Sequence, residues 1–139
     1  MLRFLKTIYQ RMLDPNLRWY LDTLPTGANA TAATGGAAWT WGAYAQVIAT
    51  TLMDLYIVGV SVTPTTVDIN YEFRIARGAG GAEVVLAVLS VSAHDANTCH
   101  HYDLPYPLYI QIGQRLAVGC REDTGAGVID IKLRVAYYI

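Results

Sequence analysis

The chain has 139 residues, of which 53% are hydrophobic and 15% are charged, and its formal net charge is -1. A chain of this length forms one domain on ordinary size statistics. The balanced charge excludes nucleic acid as the main partner, because phosphate binding requires a basic surface. The charged fraction is well below the roughly 25% usual for soluble domains, so we expect a homo-oligomer or a larger assembly that covers apolar surface.

Residues 1–24 are predicted to form an N-terminal amphipathic arm that begins with a short helix over residues 2–13. Apolar side chains recur there at helical spacing, and Asp14-Pro15 ends the pattern because a residue before proline avoids the helical conformation. The arm can pack on its own domain, dock on a partner chain or lie on a membrane, and we favour the partner chain. Its candidate interaction residues are Leu2, Leu5, Tyr9, Met12 and Trp19.

No targeting or membrane-spanning segment is expected. The basic opening of the chain resembles that of a signal peptide, but Lys6, Arg11 and Asp14 interrupt the apolar core that such a peptide needs. No apolar run reaches the roughly 18 residues required to span a bilayer. A membrane is therefore the least favoured partner of the arm.

Residues 25–38 are predicted to be a linker, and residues 39–139 a β-sandwich domain. The linker contains Thr, Gly, Ala and Asn but no large apolar residue, so it cannot offset its ordering entropy by burial. The first strand of the domain is placed at residues 39–46, where Trp39 and Trp41 alternate with other side chains. Residues 55–62 form a continuous apolar run, which is typical of a strand buried on both faces.

Residues 66–76 show the most regular alternation in the chain. The apolar side chains from Val67 to Ile75 occupy every second position, and polar residues lie between them, so this strand has one buried and one solvated face. A glycine-rich turn follows, and residues 84–89 are then apolar at every position. Such a strand belongs between two layers or at a subunit contact.

The segment Asp103–Val118 is interpreted as a β-hairpin. Pro105 and Pro107 exclude a helix and hold its first half in an extended, edge-like conformation. Apolar residues recur at every second position on both sides of a turn at Gly113-Gln114. With a last alternating strand over residues 129–137, these signals predict an all-β chain, an antiparallel β-sandwich of seven or eight strands with a jelly-roll-like topology.

No catalytic residue, metal or cofactor is predicted. The one cluster of potential metal ligands has spacing that matches no familiar zinc pattern, and its neighbouring histidines would face opposite sides of a strand; its members are His94, Asp95, Cys99, His100, His101 and Asp103. Cys99 beside His100 lacks the geometry of a nucleophile and its base. Whether Cys99 pairs with Cys120 is left open.

Three tyrosines near the two prolines are a candidate interaction surface: Tyr102, Tyr106 and Tyr109. They can form an aromatic platform for a sugar ring, which is the basis of an alternative function as a carbohydrate-binding or host-attachment module. They can also fill a subunit contact, where tyrosine is enriched, and this second interpretation is favoured.

Three segments, taken in order, carry a resemblance to a known group of proteins: Trp41-Gly42, Gly78–Val85 and Leu104-Pro105-x-Pro107-Leu108-x-Ile110-x-x-Gly113-x-Arg115-Leu116-Ala117. Over roughly residues 37–139 the chain resembles uncharacterised virion structural proteins of tailed bacteriophages.

The resemblance implies a jelly-roll-like structural protein without an active site, such as a capsid decoration or cement protein, a fibre protein or a tail-associated protein. Its location would be the virion, after synthesis in the host cytoplasm, and its partners would be other virion proteins and copies of itself. A trimer is the first expectation, since jelly rolls frequently assemble around a three-fold axis.

Overall fold

The computed structural model describes residues 19–64, 69–93 and 98–138. Within these residues it contains nine β-strands and no helix. The strands are β1 (Trp19–Leu24), β2 (Ala30–Ala33), β3 (Ala45–Ile48), β4 (Leu55–Pro64), β5 (Ile69–Arg77), β6 (Val84–Ala93), β7 (His100–Ile110), β8 (Leu116–Glu122) and β9 (Val128–Tyr138). The predicted helix over residues 2–13, with Leu2, Leu5, Tyr9 and Met12, lies outside the described residues.

The strands form two antiparallel sheets. Sheet A has the order β1-β9-β4-β7, with β2 also paired to β9, and sheet B has the order β3-β8-β5-β6. The pairing is nested: β5 pairs with β6, β4 with β7, β3 with β8, and β2 with β9. This is the arrangement of a long hairpin wrapped into a double-sheet jelly roll. The predicted fold class, an antiparallel jelly-roll-like sandwich, is confirmed.

The core lies between the two sheets and is made by the alternating faces that the sequence indicates. Tyr71, Phe73 and Ile75 of β5 are buried, as predicted. The apolar face of β9 is buried as well, and β4 has buried residues on both faces. Full burial of one such side chain contributes roughly 1.5–3 kcal/mol to the stability of the fold.

The predicted hairpin over residues 103–118 is wrong in one respect. The turn exists, with Gly113 at a φ of 86°, but β7 pairs with β4 in sheet A whereas β8 pairs with β5 and β3 in sheet B. The turn therefore crosses from one sheet to the other. Thr51 holds this turn in place, because its hydroxyl donates to the Gln111 carbonyl at 2.9 Å and accepts from the Gln114 amide at 3.0 Å.

The predicted boundary of the β-sandwich at residue 39 is too late. In the structure β1 pairs with residues 133–138 of β9, and β2 pairs with residues 128–131 of the same strand. Ala30 and Ala32 are buried, and the Cys120 thiol donates to the Ala32 carbonyl at 3.2 Å. The small side chains of this stretch indicate a linker by composition, but here they allow a close approach of β2 to the core.

The predicted first strand also begins later than expected. Only Ala45–Ile48 forms a regular strand, β3. The preceding residues follow β8 irregularly, with the Trp39 amide donating to the Glu122 carbonyl at 2.7 Å and the Gly42 amide to the Cys120 carbonyl at 3.0 Å. Their aromatic side chains lie across the outer face of sheet B, which a regular alternation would not permit.

These strand pairs predict a difference between two N-terminal deletions. Removal of residues 1–18 leaves every described strand pair intact, so this shorter deletion is the reference for the loss of β1. Removal of residues 1–24 also removes β1 and the contact of Leu24 with the core. We expect that loss to cost about 2–4 kcal/mol, or roughly 10 °C in melting temperature by calorimetry. Equal melting temperatures for the two deletions would show that β1 contributes nothing to the domain.

Candidate functional site

The four edges of the two sheets differ in their protection against pairing with another chain. At one edge of sheet A, β7 carries Pro105 and Pro107, which offer no amide hydrogen to a further strand. Residues 104–107 also bulge out, because the pairing with β4 moves from Ile57–Leu108 to Gly59–Asp103. The sequence prediction of an edge-like segment is confirmed, and this edge is blocked.

Two more edges are interrupted or short. At the other edge of sheet A, residues 25–29 separate β1 from β2, so no continuous strand is presented. At one edge of sheet B, β3 has only 4 residues. Interrupted and short edge strands are poor templates for strand addition.

The remaining edge, β6, is long and open. Its 10 residues, Val84–Ala93, include no proline and no charged side chain. The exposed fractions of Val84, Val85 and Val88 are 56%, 44% and 53%. The adjacent charge, Glu83, forms an ion pair with Arg115 at 3.0 Å. A long edge strand with exposed valines is a surface on which another strand can pair.

β6, whose residues 84–89 were predicted to be apolar on both faces, is therefore an edge strand and does not lie between two layers. Its inner face still contributes to the core, because Val91 is buried and Leu86 and Leu89 pack against the core residues. Its outer side is exposed in the described chain, which leaves the subunit contact as the remaining alternative from the sequence.

The outer face of sheet B carries a stack of aromatic rings and guanidinium groups. The Arg74 guanidinium carbon lies 4.5 Å from the ring centre of Trp41 and 4.1 Å from that of Tyr44. Its Nη2 also donates to the Gly42 carbonyl at 3.5 Å. Arg74 was expected on a solvated strand face, but the two rings cover it and leave it half-buried.

Arg121 extends this stack toward Trp39. Its guanidinium carbon lies 4.7 Å from the ring centre of Trp41 and 5.8 Å from that of Trp39. Its Nε donates to Glu72 Oε2 at 2.6 Å, and its Nη2 is 2.5 Å from the same oxygen. Cation–π contacts and this ion pair hold the rings in a fixed order, Tyr44, Trp41, Trp39.

Trp39, at the end of the stack, combines exposure with backbone strain. Its φ is 55°, whereas every other described residue with a positive φ is a glycine. An L-residue with a bulky side chain costs roughly 1–3 kcal/mol in this region. The side chain is nevertheless 45% exposed, so core packing does not explain it. The positive φ belongs to the turn that is closed by the hydrogen bond from the Thr40 amide to the Ala37 carbonyl at 3.1 Å.

Glu122, at the end of β8, is a fully buried carboxylate that organises the following loop. It accepts hydrogen bonds from the Thr124 amide at 2.5 Å, the Thr124 hydroxyl at 3.0 Å, the Ala126 amide at 2.5 Å and the Gly127 amide at 3.1 Å. Burial by itself would raise the pKa of Glu122, but these hydrogen bonds outweigh it and lower the pKa below its ordinary value. The carboxylate is structural, because its oxygens are used by the chain's own loop.

Cys99 and Cys120 are both free thiols, Cys99 exposed and Cys120 buried, so the two do not form a disulfide. Burial and the neighbouring Glu122 raise the pKa of Cys120 to about 12. A buried, protonated thiol is a poor nucleophile.

The potential metal ligands do not converge among the described residues, and no group of three or more such side chains is found there. Cys99 Sγ lies 3.9 Å from His101 Nε2, and the other ring nitrogen of His101 is 2.7 Å from the Ser61 hydroxyl. Asp103 instead pairs with Arg134 at 2.5 Å. His94 and Asp95 lie outside the described residues.

The three candidate tyrosines occupy different environments on β7. Tyr102 packs against the core, and burial raises its pKa. Tyr109 donates to Asp54 at 2.8 Å, and its ring centre is 5.4 Å from that of Tyr56. Tyr106 lies in the bulge between the two prolines and is exposed. Trp19 begins β1 opposite Tyr138.

No protein-family model matches the chain, and no curated protein matches it either. Solved structures do show a likeness. The structure of infectious bursal disease virus Gx strain has a TM-score of 0.42 and 12% identity, and the match covers 89% of this chain and 32% of that one. The structure of the infectious bursal disease virus VP2 subviral particle has a TM-score of 0.42 and 11% identity, and the match covers 89% of this chain and 33% of that one.

A third structure, Eiger TNF from S. frugiperda, has a TM-score of 0.37 and 14% identity, with 83% of this chain and 91% of that one covered. The chain spans about a third of the length of the two viral chains that it matches. These TM-scores are too low for the likeness to identify a family or a function.

The described residues contain no helix long and apolar enough to cross a membrane.

Sequence reasoning missed the stack on sheet B and the role of Glu122. A signal for the stack exists in the sequence, because Trp39 and Trp41 are separated by one residue and precede a strand that carries Arg74 on its polar face. Nothing in the sequence indicates which carboxylate becomes buried.

Proposed function

We propose that this chain is a non-enzymatic structural component of a bacteriophage particle and acts through protein–protein assembly. The observation that supports an assembly role best is the open edge of β6, with its exposed Val84, Val85 and Val88. The resemblance of Leu104–Ala117 and its companion segments to phage virion proteins supports the particle as the setting. Capsid decoration, fibre and tail-associated positions all fit this proposal.

The first partner of the β6 edge is a second copy of the chain. Antiparallel pairing of β6 with itself about a two-fold axis joins two four-stranded sheets into one, and each edge then satisfies the other's free amide and carbonyl groups. The outward residues of the edge are valine and serine, so the pairing places no like charges opposite each other. A dimer is therefore the unit that we propose, in place of the trimer first expected.

A charge at the centre of this edge should separate the two copies. We expect Val88→Lys to convert the dimer into a monomer in mass photometry and light scattering, because two lysines would face each other near the two-fold axis. Val88 is exposed, so the melting temperature of the isolated domain should change little.

Leu21→Lys is the matched control, since Leu21 is an exposed apolar residue on β1 at the opposite sheet's edge. It should leave the dimer intact. A dimer that dissociates with Leu21→Lys and persists with Val88→Lys would assign the contact to β1 instead. A wild-type chain that stays monomeric at micromolar concentration would remove the support for self-assembly.

The particle role has its own test. Quantitative mass spectrometry of gradient-purified particles of the encoding phage should recover the chain at a fixed copy number that survives a high-salt wash. Recovery of the chain only from the soluble fraction of the lysate would contradict a structural role in the particle, whatever its oligomeric state.

The alternative function, a carbohydrate-binding or host-attachment module built on Tyr102, Tyr106 and Tyr109, gains no support from the positions of these residues. Tyr102 is turned toward the core, whereas Tyr109 is held by Asp54 and Tyr56. Of the three, Tyr106 is left as an exposed ring.

A further inference from the structure

An apolar cleft opens between the β1–β9 edge of sheet A and the end of β3 in sheet B. Its volume is about 230 Å³, and its wall is mostly apolar, formed by Leu24, Ile48, Leu52, Met53, Leu55 and Tyr137. An engineered apolar cavity of about 150 Å³ holds a benzene ring. The cleft therefore has room for one or two large apolar side chains, but not for a whole helix or strand.

Two apolar side chains at this cleft are exposed. Leu52, in the loop between β3 and β4, is 78% exposed. Tyr20 is 42% exposed, and its ring stacks on that of the cleft residue Tyr137 with 5.9 Å between the ring centres. An apolar cleft bordered by exposed apolar side chains is a surface on which another piece of protein chain can pack.

The first 18 residues of the chain enter the sandwich beside this cleft. β1 begins at Trp19, three residues before Asp22 of the cleft wall, which is about 10 Å along a strand. Residues 14–18 span up to roughly 17 Å when extended, so residues 2–13 are within reach of the cleft. A helix of that length would be about 18 Å long and would lie across the opening. Its apolar stripe consists of Leu2, Leu5, Tyr9 and Met12.

Charge also favours this segment as the occupant of the cleft. Residues 1–18 contain four basic side chains and one acidic side chain, a net charge of +3. Since the whole chain carries -1, residues 19–139 carry -4. Among the described residues that line the cleft, Asp22 is the one charged side chain, and it is exposed. The basic side chains beside the stripe would thus approach an acidic domain at an acidic rim.

We infer that residues 2–13 dock as an amphipathic helix across this cleft of their own chain, with the apolar stripe against Leu52 and Tyr137. A helix of this length is marginal alone in water, and burial of its stripe stabilises it. The short connection to β1 raises the effective concentration of the segment at the cleft. The inference assigns the segment to its own domain, in place of the partner chain first favoured, and does not depend on assembly through β6.

Carbene labelling of the full-length chain, read by mass spectrometry at Leu52 and Tyr20, tests the contact directly. Tyr9→Lys places a charge in the middle of the stripe, so we expect labelling at both residues to rise. The melting temperature should fall by about 4 °C or more. Thr7→Lys is the matched control, because residue 7 lies on the opposite side of the predicted helix. It should change neither the labelling nor the melting temperature.

A double-variant cycle tests the same contact from the side of the cleft. Leu52 is exposed in the described chain, so Leu52→Lys would be nearly neutral without a docked segment. We expect it to lower the melting temperature alone, but to lower it no further when combined with Tyr9→Lys, since both changes break one contact. Tyr106→Lys, at the other edge of sheet A, is the control and should be additive with Tyr9→Lys.

Labelling at Leu52 that does not respond to Tyr9→Lys would overturn the inference. Additive losses of melting temperature for Tyr9→Lys and Leu52→Lys would overturn it as well. Dilution of the full-length chain separates its own segment from that of a second copy. Protection of Leu52 that is independent of concentration supports the intramolecular contact, whereas protection that disappears on dilution assigns the segment to another copy and overturns it. Val88→Lys tests the β6 contact separately.

Discussion

Replacement of Glu122 by glutamine is expected to lower the free energy of unfolding by about 3 kcal/mol, or roughly 10 °C in melting temperature. The carboxylate is fully buried and accepts hydrogen bonds from the amides of Thr124, Ala126 and Gly127. A glutamine side chain turns one of its two oxygens into an NH2 donor, which then faces these donors. The loop between β8 and β9 therefore loses part of its anchoring, and buried amides lose their acceptor.

The same carboxylate makes stability depend on pH. Its pKa in the folded chain is lowered from the ordinary value of 4.5, so the folded state favours the charged form. The resulting stabilisation is fully present above pH 4.5 and is lost as the pH falls through the lower folded pKa. We expect the wild-type melting temperature to fall in this acidic range more steeply than that of Glu122→Gln.

Glu72→Gln is the control for both measurements. Glu72 is a partly exposed carboxylate in an ion pair with Arg121, and such pairs contribute about 1 kcal/mol or less. Thermal melts of the three proteins between pH 3 and pH 7 make the comparison. Equal losses for the two glutamine variants, or parallel pH profiles for wild type and Glu122→Gln, would show that the buried carboxylate does not hold the loop.

The alternating strands could be predicted because burial of one strand face requires an apolar residue at every second position of the sequence. The alternation in β5 identifies Tyr71, Phe73 and Ile75 as inward-facing, and the structure buries all three. Period-two alternation states which face of a strand is apolar. It does not state which sheet the strand joins, and the turn at Gly113 was therefore interpreted as a hairpin although it connects sheet A to sheet B.

Composition was misleading where the chain is packed most tightly. The stretch from Pro25 to Ala38 lacks large apolar residues, which is typical of a linker, yet Ala30 and Ala32 are buried beside β9. A small side chain buries little surface, but it permits the close approach through which Cys120 reaches the Ala32 carbonyl. Composition measures how much apolar surface is available and not how closely the backbone packs.

The backbone conformation of Trp39 could not be predicted from the sequence, for a different reason. A tryptophan with a positive φ is rare, so no pattern predicts it. It results from tertiary contacts, namely the bond from the Trp39 amide to the Glu122 carbonyl and the stacking of Trp41 between Arg74 and Arg121. Sites built from such contacts follow from the assembled sheets and not from any one strand.

The interior face of β5 supports the second large prediction, that Phe73→Asp abolishes folding. Phe73 is fully buried and lies opposite Leu89 of β6 and Cys120 of β8. Loss of the ring costs about 3–5 kcal/mol, and burial of a carboxylate without a partner costs several more. Together these losses match the whole stability of a typical domain, about 5–15 kcal/mol. Circular dichroism should show no cooperative melt.

Arg74→Asp, at the neighbouring position of β5, is the control for this prediction. From the sequence, Arg74→Asp would be a surface change worth no more than about 0.5 kcal/mol. The structure raises that expectation to about 1–2 kcal/mol, because the guanidinium lies between Trp41 and Tyr44 and a carboxylate would face the electron-rich ring surfaces. The variant should still fold and melt cooperatively, several degrees below wild type. If Phe73→Asp folded as well as Arg74→Asp, the inner and outer faces of β5 would be assigned the wrong way round. The core described for the jelly roll would then be wrong as well.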